Sequence, residues 1–134
     1  MKIGFISGTS ISRSSLFESW GRRTVDTAWG PVSVRSHGDH HLINRHGFED
    51  PVPPHAINYR ANIQAMRDLE VDALVSLQSV GSLKHDLPPG TLISCEDYVS
   101  FAPITYHNDR ATAFAPQVAN NLIPRIVEAY PGEI

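Results

Sequence analysis

A single cysteine, Cys95, stands in a chain of 134 residues, so no disulfide can form within it. One thiol also falls short of the paired cysteines that structural zinc sites use. Such cysteine poverty fits a reducing compartment, and a cytoplasmic location is expected. Long hydrophobic runs are lacking too. None approaches the ~20 apolar residues that cross a bilayer as a helix, so no membrane partner is expected. Positive charge is scarce: 11 Lys and Arg face 14 Asp and Glu, a formal net charge of -3. Arg22-Arg23 is too short to make a basic patch, and no nucleic acid is expected among the partners. Aromatic residues make up only 8%. Trp20, Trp29, Tyr98 and Phe101 read as core or subunit-contact residues rather than a stacking platform. The opening Met1 to Ser7 enters a strand-like run directly, with no secretory signal expected before it.

What is present is ordinary globular material, 41% hydrophobic and 19% charged. Residues 1–134 suit one domain, which buries roughly two-thirds of the surface of its unfolded chain. No repeat, low-complexity tract or linker interrupts it. Lys2 to Ser7 predicts a strand ending in the small-residue loop Gly8-Thr9-Ser10. Val25 to Thr27 leads into the turn signal Trp29-Gly30-Pro31, and Val32 to Val34 alternates like a half-buried strand. Gly38-Asp39 is a hairpin signature with His40 to Asn44 as the returning strand. Phe48 to His55, with three prolines, predicts a loop. Ile57, Ala61, Ala65 and Leu69, widened by Met66, predict a helix from Ile57 to Glu70. Asp72 to Leu77 predicts a strand covered on both faces, emptying into Gln78-Ser79-Val80-Gly81-Ser82. A turn at Pro88-Pro89-Gly90 leads to a strand at Thr91 to Ser94. Pro116 to Tyr130 has helical spacing, with Pro124 expected to kink or divide it. The alternation predicts an α/β layered fold with a mixed sheet.

Three loops would converge if their strands lie side by side: Gly8-Thr9-Ser10, Arg45-His46-Gly47 and Gln78 to Ser82. Ligands of open α/β sheets settle outside the carboxyl ends of strands, where such loops gather. Small-residue loops expose backbone N–H groups to an anion, and Thr9 and Ser79 add hydroxyls. Arg45 supplies a planar fork suited to phosphate. Each piece alone is weaker: a Gly-Thr turn is usually only a turn, and an Arg-His pair is usually surface. Composition therefore supports an anion site and no more.

An ordered set of segments carries a resemblance. Lys2 to Thr9 resembles the first strand and phosphate loop of the methylthioadenosine phosphorylase branch of the purine nucleoside phosphorylase family. Val25 to Gly30 is similar to that branch's Thr-Pro-aromatic-Gly segment. Asn44-Arg45-His46-Gly47, followed by Pro53 to Ile63, resembles its most recognisable block. Val80-Gly81-Ser82-Leu83 with Pro89-Gly90-Thr91-Leu92 matches the next, and the agreement covers about Met1 to Ser100. The resemblance implies a three-layer phosphorylase-like fold with a mixed central sheet, apparently truncated to its N-terminal half. It implies phosphorolysis of a purine nucleoside (methylthioadenosine, methylthioinosine or a relative) to free base and (methylthio)ribose 1-phosphate. Inorganic phosphate is the co-substrate, and no other cofactor is implied. By position, Thr9, Arg45, His46, Gln78 and Ser79 would bind phosphate, with Arg45 and His46 the catalytic pair. A homo-oligomer, by analogy a trimer, or a partner carrying the missing C-terminal half is implied as well.

Departures from the family pattern qualify that expectation. Ser7 and Ser10 stand where glycines are usual around the first Thr, and Leu77-Gln78 replaces a small polar pair. Residues that hold the ribose and the purine ring in the family come later than Ile134. The competing reading is a non-catalytic or split half-domain that binds phosphate or a partner subunit. Seven histidines invite a metal reading, above all His37, His40 and His41 with His46 and His55 nearby. Their spacing fits no zinc motif, and adjacent His40 and His41 face opposite ways on a strand, so no metal is expected. Cys95 is expected to be a buried small hydrophobe.

Overall fold

The computed structural model describes residues 1–95, 98–99, 104 and 122–130. The chain divides into two compact units, Met1–Val80 and Gly81–Ile134. In the first, β1 (Ile3–Ser7) is followed by α1 (Thr9–Ser12) and a 3-10 turn at Ser15–Phe17. Then come β2 (Gly21–Thr27), β3 (Gly30–His37), β4 (His40–Asn44), α2 (Tyr59–Asp68) and β5 (Ala73–Leu77). The five strands form one sheet in the order β2-β3-β4-β1-β5. β2, β3 and β4 run antiparallel as consecutive hairpins, while β1 is parallel to both β4 and β5. The sheet is mixed, as the sequence predicts.

Two-residue turns set the hairpins. Gly38 opens the β3–β4 turn at φ +54, the arrangement that admits glycine at the first central position of a tight hairpin. Alternation then sorts the side chains. Val32, Val34 and Ile43 face one side and pack on Ala61, Ala65 and Met66 of α2, with Ile6, Val25, Leu69 and Val71 around them. Each fully buried aliphatic in such a cluster contributes about 1.5–3 kcal/mol. Gly4 belongs to this face because a Cβ there would lie 2.7 Å from the Met66 sulfur. The other face carries Leu42 and Arg35, covered by Phe17 and the α1 segment. Helix, sheet and short helix thus make three layers.

α2 begins at Asn58, whose side-chain oxygen accepts from the Ala61 amide at 3.1 Å, the usual N-cap bond. It ends in a Schellman motif: the Glu70 amide donates to the Arg67 carbonyl and the Val71 amide to the Met66 carbonyl. Glu70 takes the left-handed position, φ +55, where glycine is commoner. The predicted helix was therefore longer by two residues at each end than the one that forms.

Other expectations need correction. Among the described strands β5 pairs with β1 alone, and Leu74 and Ser76 are exposed, so β5 is not covered on both faces: no described layer packs on that face. Thr91 to Ser94 is not a strand; the Pro88 turn forms, with the Thr91 amide on the Pro88 carbonyl, but the residues after it have no strand to pair with among those described. Cys95 is exposed, since residues 91–95 form neither helix nor strand to carry the thiol into a layer. Of the residues read as core or subunit contacts, Trp29 and Tyr98 are exposed, which leaves only the subunit-contact alternative for them, and Trp20 is half-buried against Phe17 and His37. Phe101 lies outside the described residues. In the second unit α3 spans Ile123–Ala129. Pro124 sits at its second position, where a missing N–H costs nothing, so it opens α3 rather than kinking it. The rest of the predicted helix, from Pro116 to Asn121, lies outside the described residues.

Candidate functional site

Three parallel strands finish level with one another. Ser7 of β1 lies opposite Asn44 of β4 and Leu77 of β5, so the loops that follow leave the sheet at one edge. Between them lies a cavity of about 230 Å³, lined by Gly8, Thr9, Ser10, Ile11, Arg45, His46, Gln78 and Ser79. All five residues singled out for phosphate, Thr9, Arg45, His46, Gln78 and Ser79, therefore line one space. Ser10 and Ile11 line it too and were not singled out. They belong to α1, whose first amides have no partner within the helix.

The loop after β4 is built by Asn44. Its side-chain oxygen accepts from the His46 amide at 3.1 Å, and its amide group donates to the Gly47 carbonyl at 2.6 Å. The Gly47 amide returns to the Asn44 carbonyl at 2.9 Å. Gly47 has φ +97, and a Cβ there would stand 3.0 Å from the Asp50 carbonyl oxygen, so only glycine closes this turn without strain. Asn44, 5% exposed, thus fixes the directions of Arg45 and His46. Sequence reasoning missed this role, although an Asn two residues before a loop amide is a known turn-building pattern.

The Arg45 guanidinium lies against the Gly8 backbone: a Cβ on Gly8 would be 3.3 Å from both terminal nitrogens. One of them, Nη1, is buried and has no hydrogen-bond partner among the described residues. A buried cationic donor without a partner costs free energy, and an oxyanion in the adjoining cavity would satisfy it with a charge-assisted bond. His46 is oriented by its Nδ1–H, which donates to the Val52 carbonyl at 2.9 Å, leaving Nε2 as the ring nitrogen open to a ligand. Gln78 and Ser79 are exposed at the mouth. The arrangement suits a small anion held by one guanidinium, loop amides and hydroxyls.

His40 and His41 lie at the opposite end of β4 from this site. His41 is buried, and its Nδ1 stands 2.9 Å from the Ser36 hydroxyl. Burial, aided by nearby Arg23 and Lys2, pushes its pKa below the ordinary histidine value. Neighbouring His40 is turned toward β1, where its Nδ1 accepts from the Ile3 amide. Among the described residues no three His, Cys, Asp or Glu side chains are grouped to hold a metal ion. No helix among them is long and apolar enough to cross a membrane.

The chain is 33% identical over 132 residues to a probable S-methyl-5'-thioinosine phosphorylase of Methanocaldococcus jannaschii, covering 90% of this chain and 52% of that protein. It is 31% identical to an S-methyl-5'-thioadenosine phosphorylase of Thermofilum pendens, covering 88% and 51%. It thus spans about half the length of the curated relatives it matches. Among solved structures, methylthioadenosine phosphorylase from Schistosoma mansoni in complex with adenine superposes with a TM-score of 0.59 at 34% identity, over 67% of this chain and 35% of that one. The model of the phosphorylase superfamily matches residues 2–131. With a mixed sheet, a three-loop cavity and these relatives, the chain belongs to the phosphorylase superfamily.

Proposed function

We propose that this chain, residues 1–134, is the phosphate-binding half of a purine nucleoside phosphorylase. The substrate class is methylthioadenosine, methylthioinosine or a related purine nucleoside, and inorganic phosphate is the co-substrate. The observation that carries the reading is the buried, unpartnered Nη1 of Arg45 at a cavity shared by Thr9, His46, Gln78 and Ser79.

In the reaction a phosphate oxygen bonds to the anomeric carbon while the bond from that carbon to the base nitrogen breaks. The base leaves with the bonding pair and takes up a proton, and (methylthio)ribose 1-phosphate remains. Arg45 fixes the phosphate and offsets its charge, and Thr9, Ser79 and the loop amides orient it. The fixed anion in turn stabilises the positive charge that develops on the sugar. Contacts to ribose and base come from a homo-oligomer, a trimer by analogy with the family, or from a partner carrying the C-terminal part. The cytoplasm is the proposed location.

A second reading is a non-catalytic or split half-domain that binds phosphate or a partner subunit. Incubation of the chain with methylthioadenosine, adenosine, inosine and guanosine, with and without phosphate, separates the two. Free base released only with phosphate is the expected result. No release from any nucleoside, with phosphate binding intact, assigns the chain to the second reading.

A further inference from the structure

Arg35 stands apart from every other cation of the sheet. It projects from β3 and is 9% exposed, yet among the described residues no carboxylate pairs with it, the ion pairs there being Lys2–Glu70 and Arg22–Glu49. Its Nη1 donates to the Phe17 carbonyl at 3.0 Å and, more weakly, to the Ser12 carbonyl at 3.4 Å. Its guanidinium carbon lies 4.8 Å from the centre of the Phe48 ring, a cation–π distance. Its Nε has no partner among the described residues. An unpaired buried cation is a costly way to fill a core, and apolar replacements of buried charge often leave stability unharmed or improved. Stability therefore does not account for an arginine here.

Its contacts do. Ser12 closes the turn that carries Thr9, Ser10 and Ile11: the Ser12 amide donates to the Gly8 carbonyl at 3.2 Å, and its hydroxyl to the Thr9 carbonyl at 3.1 Å. Phe48 directly follows Gly47, the residue that closes the Arg45–His46 turn. One planar side chain thus touches the segment behind the first cavity loop and the segment behind the second. The guanidinium shape matters, because its edge bonds carbonyls while its face lies on the ring, and lysine cannot do both.

We infer that Arg35 is a positioning residue of the anion site, setting the separation of the Thr9 loop from the Arg45–His46 loop without touching the anion. The inference rests on the phosphate reading of that cavity. Its test is calorimetric titration of inorganic phosphate into the wild-type chain, Arg35→Met and Arg35→Lys, with amide hydrogen exchange on each. Arg35→Met is expected to bind phosphate about 10- to 100-fold more weakly, the range that supports behind metal ligands show when removed. Arg35→Lys is expected to recover part of that loss. Exchange is expected to quicken at the Ser12 and Arg13 amides while the α2 amides keep their protection. Unchanged phosphate affinity in Arg35→Met overturns the inference and leaves the phosphate reading standing. If Arg35→Met does not fold, unchanged affinity in Arg35→Lys overturns it equally. A wild-type chain that binds no phosphate overturns the phosphate reading, and this inference with it.

Discussion

Gly8 and Arg45 share one small volume, and the site depends on that sharing. The guanidinium can lie on the Gly8 backbone because no Cβ intervenes, and the pair then presents a buried donor to the cavity. His41 shows how a similar residue type behaves without such a task. Its pKa is lowered chiefly by burial, so folding favours the neutral ring. The unfolded chain takes up a proton near the ordinary value of ~6.5, before the folded chain does. Stability from this residue is therefore complete above that value and falls as pH drops through the lowered folded pKa. Urea midpoints measured between about pH 8 and pH 5 are expected to decline less steeply in His41→Gln than in wild type. Parallel slopes would contradict this. At this scale the sequence was informative where chemistry follows residue type. Thr9, Arg45 and His46 announce themselves as polar groups after apolar strands. Asn44 does not, because its part is played through two hydrogen bonds to a turn three residues long.

Elements were legible in proportion to their apolar patterning. α2, β1 and β4 carry buried residues and β5 an unbroken apolar run, and all four were readable. β2 was read only at Val25 to Thr27, yet it starts at Gly21, because Arg22, Arg23 and Thr24 are exposed on an edge strand and leave no alternation. α1 was read as loop, since Thr9-Ser10-Ile11-Ser12 has weak helix propensity and holds its turn through the sheet beneath it. The start of α2 bears more than its own weight. Asn58 caps the helix and also donates from Nδ2 to the Trp29 carbonyl at 2.7 Å, while Arg60 lies over the Trp29 ring at 4.8 Å. The β2–β3 hairpin is thereby tied to the helix that covers the sheet. Asn58→Ala is expected to lose about 1–2 kcal/mol of stability, and Asn58→Asp, which keeps only the cap, less than that. Thermal unfolding of the two variants separates the contributions: no loss in Asn58→Asp would show that the hairpin tie contributes nothing, and equal losses would show that the cap does not.

Over the whole molecule, topology makes the site. β1 lies between β4 and β5 and is parallel to both, so three segments far apart in the chain end at one edge. Side-by-side strands were the condition on which the sequence reading depended, and strand order is set by long-range pairing that no local pattern records. The same limit explains Leu74. An unbroken apolar run looks doubly covered, but its surroundings depend on which elements pack beside it. Over the part of its relatives that the chain spans, the proposed chemistry is phosphate capture in the cavity beyond β1, β4 and β5. The direct measurement is calorimetric titration of inorganic phosphate into the chain and into Arg45→Ala. Saturable binding by the wild type, weakened in Arg45→Ala by about 1.5–3 kcal/mol, as loss of a charge-assisted hydrogen bond costs, is the predicted result. Equal affinities, or no binding by the wild type, would contradict the assignment of this cavity to phosphate.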